Sequence, residues 1–400
     1  MREGWKEVEL GYVLKRIIGG GTPSKSIDGY WNGNIYWCSV KDMSDDRFTL
    51  SNTEDRITDI GLKNSSSNLI PANTVITATR MGLGRAFVNS VDMAINQDLK
   101  ALIPNANIDN KFLLWTIIAN RNKIESLGSG ATVKGIKLDT LKAIKIQLPQ
   151  IHIQQKIATI LSAYDVLIEN NLKRIKLLEE MAQQTYEEWF VRMRFPGYET
   201  AVINEETGLP EGWEKVKLWQ IADLNKSTLK KGFTGKIKYI DIASVSPNQI
   251  GTLNEYEFTE APGRARRIVN NGDIIWSCVR PNRRSYALII NPESNLIAST
   301  GFCVITAKKI PFVYLYHHLT TNEFVGYLTN LAGGAAYPAV TQNHFEEADV
   351  IIPTDELLEN YKSSFESSKY ITQNLQSQNQ RLKEARDILL PRLMSGMISV

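Results

Sequence analysis

Between Arg264 and Arg284 the chain places six arginines, Arg264, Arg266, Arg267, Arg280, Arg283 and Arg284, against one acid, Asp273. A guanidinium carries a planar fork of N–H donors that fits the O6 and N7 edge of guanine bidentately, and it grips phosphate oxygens equally well. Arg280-Pro281-Asn282-Arg283-Arg284 follows a β-rich run, so the sequence predicts a loop able to enter a groove, with Asn282 as a further polar contact. The alternative for the same residues is a solvated basic surface with ion pairs. Lys226, Lys230, Lys231 and Tyr337 join this group as candidates for DNA contact.

An equivalent strand earlier in the chain ends at Thr77-Ala78-Thr79-Arg80-Met81-Gly82-Leu83-Gly84-Arg85. Its glycines would let backbone approach a duplex closely, or would simply make a hairpin turn. Lys25, Lys41, Arg80, Arg85 and Lys134 are the candidates for DNA contact in this half. Residue types alone do not divide base readers from phosphate contacts.

Other chemistries lack their residues. No Asn/Asp-Pro-Pro-aromatic tetrapeptide occurs to hold a flipped adenine, and Gly232-Phe233-Thr234-Gly235-Lys236 has the wrong spacing for a phosphate loop. Gly19-Gly20-Gly21 lacks dinucleotide-fingerprint spacing, and His152, His317, His318 and His344 form no H-x-x-x-H pair. Cys38, Cys278 and Cys303 are scattered, which argues against a disulfide framework and a zinc site and fits a reducing cytoplasm. No catalytic residue and no metal ligand is therefore assigned. One rival reading is a nuclease whose acids, such as Asp42, Asp45, Asp46 and Asp98, converge only in three dimensions. Another is a coiled-coil scaffold that binds only protein.

The elements that position these residues come in duplicate. Gly4-Trp5-Lys6-Glu7-Val8-Glu9-Leu10 recurs as Gly212-Trp213-Glu214-Lys215-Val216-Lys217-Leu218, Gly128-Ser129-Gly130-Ala131 faces Ala332-Gly333-Gly334-Ala335, and Ile146-Gln147-Leu148-Pro149 faces Val350-Ile351-Ile352-Pro353. A repeat of about half the chain is far longer than the ~20 to 50 residues of a solenoid unit, so each copy is a domain plus a helix. Short strands and turns fill each copy up to its Pro, and apolar residues spaced by three and four follow it. In the first helix these are Ile153, Ile157, Ile160, Tyr164, Leu167 or Ile168, Ile175, Leu178, Ala182 and Trp189. The second shows Leu358, Tyr361, Phe365, Leu375, Leu382 and Leu389 around a polar middle, so it needs a partner to be stable.

The expected fold is α+β: two mixed α/β domains, each followed by a long helix, the two helices packed as an antiparallel coiled coil with pseudo-twofold symmetry. Asn170 and Asn374 fall at equivalent places in the helices and are candidates for a buried pair that fixes register, or for solvent-facing residues. A net charge of +3 does not by itself announce a nucleic-acid binder, and no run approaches the ~18 apolar residues of a membrane span.

Several segments resemble the specificity subunit of type I restriction-modification systems. They are Gly20-Gly21-Thr22-Pro23-Ser24 with Tyr30-Trp31-Asn32-Gly33-Asn34, Gln154-Gln155-Lys156-Ile157, Glu188-Trp189-Phe190-Val191 with Phe195-Pro196-Gly197, Leu209-Pro210-Glu211-Gly212-Trp213, and Leu389-Leu390-Pro391-Arg392-Leu393. The resemblance covers essentially the whole chain. The second domain reads Leu224-Asn225-Lys226-Ser227-Thr228 where the first has its Gly-Gly-Thr-Pro signature, which suggests that the two domains read different sequences.

The resemblance implies a first target recognition domain at 1–149, a spacer helix at 150–194, a linker at 195–212, a second recognition domain at 213–353 and a second spacer helix with tail at 354–400. It implies a non-catalytic protein that binds double-stranded DNA at a bipartite gapped site. It also implies two methyltransferase subunits using S-adenosylmethionine to methylate adenine N6, and restriction subunits that use ATP and Mg to translocate and cut DNA, with no cofactor on this chain and no membrane partner.

Overall fold

The computed structural model describes residues 4–130, 133–230, 232–334 and 337–400. The chain divides into two compact units, one of residues 1–172 and 377–400, the other of residues 173–376. Each unit thus contains a mixed α/β domain and a stretch of both long helices.

In the first unit a five-stranded sheet runs in the order Leu14–Gly19, Leu99–Pro104, Val75–Ala78, Ala86–Asn89, Thr49–Leu50. A four-stranded sheet has the order Asp55–Ile57, Trp31–Cys38, Met93–Ile95, Leu69–Ile70, with the middle pair parallel. Side chains alternate across a strand, so one strand can serve two cores. Ile76, Ala78, Phe87, Leu99 and Ala101 pack with Cys38, Ile70, Met93 and Ile95 of the second sheet. Val75, Ala86 and Leu102 point the other way, onto Phe112 and Trp115 of the helix Asn110–Ala119. Burial on both faces is why Val75–Ala78 reads as a continuous β-rich run without polar alternation.

The second unit repeats the arrangement. Its sheets are Ala222–Leu224, Phe302–Ala307, Ile274–Ser277, Tyr286–Leu288 and Asn254–Glu257, Lys236–Ile240, Leu296–Ser299, Ala265–Ile268, again with a central parallel pair. Ile274 and Trp276 face a core with Tyr314 and Phe345, while Ile275 faces Phe302 and Val304.

The two sequence repeats that open and close each domain pair with each other. Lys6–Glu9 runs antiparallel to Lys145–Leu148 with Val8 opposite Ile146, and Glu214–Lys217 runs antiparallel to Asp349–Ile352 with Val216 opposite Val350. This two-stranded clasp brings the start of each domain beside the point where its long helix begins.

Those helices are Ile151–Tyr186 and Asp355–Met394. In the first unit Ile157, Ala158 and Leu161 share a core with Leu390, Leu393 and Met394. In the second, Ala182, Tyr186 and Phe190 share one with Leu358, Tyr361 and Phe365. Within the first unit Asp165 meets Arg386 and Asn171 meets Asn379, so the segments run antiparallel. The buried positions of the second helix keep a seven-residue repeat, Leu358, Phe365, Thr372, Asn379, Arg386 and Leu393, as a coiled-coil seam requires.

Two expectations need correction. Ile160 is turned to solvent, and Leu161 takes the seam position. Asn170 and Asn374 are both exposed; the buried amide pair is Asn171 with Asn379, joined at 3.0 Å. The neighbouring residue wins because the seam follows Leu161, Ile168, Ile175 and Ala182, and Asn171 lies on that face whereas Asn170 is rotated about 100° away.

Candidate nucleic-acid interface

In the second unit the turn after Ile274–Ser277 is a short 3-10 helix, Pro281–Arg283, flanked by Arg280 and Arg284 in the left-handed region at φ 50° and 55°. A second loop braces it. Val279 bridges to Ala339, Arg280 N–H donates to the Pro338 carbonyl at 2.8 Å, and Ala339 in turn bridges to Gly333. In the first unit the turn after Val75–Ala78 is braced alike: Arg80 bridges to Gly135, which bridges to Ser129. Each unit therefore presents a hairpin turn clipped to a glycine-containing loop.

The six arginines of the second unit divide between two elements. Arg280, Arg283 and Arg284 sit on the hairpin turn; Asn282 and Arg283 are exposed there, and Arg284 donates to Asn322 Oδ1 at 2.6 Å. Arg264, Arg266 and Arg267 lie on or beside strand Ala265–Ile268 of the other sheet. Arg266 stacks 4.6 Å over Phe258, and Arg267 reaches Thr228 Oγ1 at 3.4 Å with its Nε buried and unpartnered among the described residues. Asp273, the one acid in this stretch of sequence, is buried and taken by the Thr306 hydroxyl and the Asn270 N–H. Among the described residues none of the six arginines forms a salt bridge, so their charge is left for an external anion.

The other candidates are placed unevenly. Lys25, Lys41, Lys134, Lys230 and Tyr337 are exposed, and Lys231 lies outside the described residues. Lys226 is exposed but pairs with Asp223 at 3.2 Å. Arg80 keeps 55% of its side chain exposed beside Asp98 at 3.6 Å. Arg85 is tied to Asp45 at 2.7 Å, and Arg121 grips the same carboxylate at 2.6 Å, so Arg85 serves as an internal strut more than a surface cation.

The acids of the nuclease reading do not converge. Asp42 accepts from the Ser39 and Glu54 N–H groups, Asp45 holds two arginines, Asp46 pairs with Lys383 and Asp98 with Arg80. Among the described residues no group of three His, Cys, Asp or Glu side chains is placed to hold a metal ion, and no helix is long and apolar enough to cross a membrane. Burial pushes the Cys278 thiol up to about 11 and those of Cys38 and Cys303 higher still, so the three remain thiols at neutral pH.

Sequence reasoning missed Asn379, Arg121, Arg386 and the exposed Met81. The seven-residue spacing from Leu358 to Leu393 was the available signal for Asn379 and Arg386, masked because three of its members are polar.

Comparison with known proteins agrees with this geometry. Residues 2–180 and 210–376 match the family model for the type I restriction modification DNA specificity domain. The type I restriction enzyme MjaIX specificity subunit of Methanocaldococcus jannaschii is 25% identical over 423 aligned positions, covering 99% of this chain and 96% of that one. The EcoR124I/EcoR124II specificity subunit of Escherichia coli is 35% identical over 193 positions, covering 46% of this chain and 47% of its own. The crystal structure of the type I system S subunit from M. genitalium shares the fold, with a TM-score of 0.61 at 16% identity over 98% of this chain and 96% of that one. The chain belongs to the family of DNA specificity subunits of type I restriction-modification systems, the recognition component that is itself non-catalytic.

Proposed function

We propose that the chain directs its enzyme to a bipartite, gapped site in double-stranded DNA. The recognition domains are residues 1–149 and 213–353, the spacer helices 150–194 and 354–400, and the linker 195–212. Each domain reads one short block, and the helices set the unread gap between them. Bound to DNA in the cytoplasm, the chain carries two methyltransferase subunits, which use S-adenosylmethionine to methylate adenine N6. Through them it carries restriction subunits that use ATP and Mg.

The observation that carries this reading is the duplicated clipped turn, present in both units with cations on or beside it: exposed Arg80 and Lys134 in one, half-buried Arg280 and exposed Arg283 in the other. Two modest binding modules on one chain gain from effective concentration, because the second block is met without a new diffusional search.

The test is to co-express the chain with its methyltransferase subunit and map N6-methyladenine across a genome. A gapped motif that vanishes on deletion of this chain is the expected result; methylation unchanged by the deletion would overturn the reading. Inserting a few residues into Ile151–Tyr186 should change the gap and leave both blocks as they were.

A further inference from the structure

The clipped turns of the two units agree in backbone and differ in side chain at one matched pair of positions. Arg80 bridges to Gly135 as Val279 bridges to Ala339, and the Ile136 N–H donates to the Thr79 carbonyl at 3.0 Å as the Val340 N–H donates to that of Cys278 at 2.8 Å. The first residue past the bridge is Met81 in one unit and Arg280 in the other, both left-handed at φ 53° and 50°. On the opposing loop, Val133 and Tyr337 each stand two residues before the bridge.

The opposing loops share a further device. Gly130 and Gly334 have φ of 127° and 98°, and a Cβ there would lie 2.3 Å from the Val133 carbonyl oxygen or 3.0 Å from that of Tyr337. A side chain at either position would crowd that carbonyl oxygen in a backbone conformation L residues rarely adopt, so glycine suits both. Met81 is 59% exposed, Tyr337 55% and Val133 37%. Left-handed backbone at a residue other than Gly or Asn is uncommon and strained. Both units keep it while changing the side chain that it displays. A position whose presentation is constant and whose chemistry varies is suited to reading different letters.

We propose that these matched positions are base-reading positions, with Arg280, braced by Tyr337, reading a guanine edge and Met81 with Val133 reading a thymine methyl. The assignment rests on the DNA-recognition reading above. The Arg280 guanidinium lies 5.4 Å over the Tyr337 ring, a cation–π contact that orients its donor fork before DNA arrives. Met and Val offer no donor to a phosphate; the apolar group exposed in a major groove is the thymine methyl. Tyr337 is a positioning residue.

The experiment uses the full chain with its methyltransferase subunit and compares the methylated motif of the parent with those of Arg280→Ala, Arg280→Lys, Tyr337→Ala, Tyr337→Phe and Met81→Ala. A gapped motif in the parent secures the recognition reading independently of the variants. Arg280→Ala should make one guanine position degenerate in one block only, with discrimination falling on the order of 5- to 150-fold. Arg280→Lys should do the same, because it keeps the charge and loses the fork. Tyr337→Ala should relax that same position and Tyr337→Phe should retain it, while Met81→Ala should relax a thymine in the other block. An unaltered motif in Arg280→Lys, or a uniform loss of methylation with every letter retained in Arg280→Ala, would make Arg280 a phosphate contact and overturn the proposal.

Discussion

The Asn171 side-chain amide donates to Asn379 Oδ1 at 3.0 Å, and both residues are buried where the two long helices meet in the first unit. Asn379 Nδ2 is buried without a partner among the described residues, so the pair is held by a single bond. Replacing one partner strands the other. Asn171→Leu should cost about 1–3 kcal/mol, and the double variant with Asn379→Leu should recover most of it. A double-mutant cycle by urea denaturation measures this; additive losses would remove the pair's role. A buried amide pair of this kind favours one helix register over its neighbours at some cost in stability.

Arg386 is a second polar residue on that seam. It is 2% exposed, reaches Asp165 at 2.8 Å and Asp387 at 3.0 Å, and lies 4.7 Å over Phe48. Arg386→Met leaves the half-buried Asp165 without its cation and should destabilise the first unit by about 1–3 kcal/mol. Asp165→Leu combined with Arg386→Met should restore or exceed the parent's stability, as a thermal melt would register.

Acid should act on the second unit first. His318 is packed against Tyr186, whose hydroxyl lies 3.1 Å from Nδ1, and Nε2 donates to the Asp349 carbonyl at 3.1 Å; burial lowers it to about 4. His317 is pushed well below its ordinary value by burial and then by the Lys369 charge. Both rings are neutral in the fold, so the unfolded chain binds protons near pH 6.5 that the folded chain refuses. Stability is complete above pH 6.5 and falls as pH drops toward 4.

In the first unit Asp165 is raised to about 6, by burial above all, so its own contribution runs oppositely, lost as pH rises from about 4 to 6. Amide protection in the helix Phe312–Leu319, taken relative to intrinsic exchange at each pH, should therefore fall between pH 6.5 and 4, and His318→Gln should flatten that fall. An equal loss of protection in both units would refute the assignment.

The basic residues should separate by partner. Arg283→Ala, at an exposed position on the hairpin turn, should weaken DNA binding and reduce its salt dependence by about one phosphate contact while the melting temperature stays unchanged. Arg85→Ala should do the reverse, lowering the melting temperature because Asp45 loses one of its two guanidinium partners. Filter binding across a salt series, beside thermal melts, distinguishes them.

Much of this protein is written in one dimension. The repeated Gly-Trp and Ile-Pro segments announce two domains, and they are the strands that clasp each one shut, because paired ends of a folded unit must recur wherever the unit recurs. The apolar spacing after Pro149 and Pro353 declares two long helices, since a 3.6-residue period survives in sequence without knowledge of its partner. The arginine-rich turn after Ile274–Ser277 was legible for the same local reason.

Tertiary structure decided what depends on neighbours far along the chain. Asn170 and Asn171 are indistinguishable by type, and only the face packed in the seam selects Asn171. Arg80 and Arg85 read alike until Asp45, 40 positions away, captures one of them. Met81 takes the position in its unit that matches Arg280 in the other only because Arg80 beside it bridges to Gly135, and backbone hydrogen bonds between loops leave no periodic trace in the residues that make them.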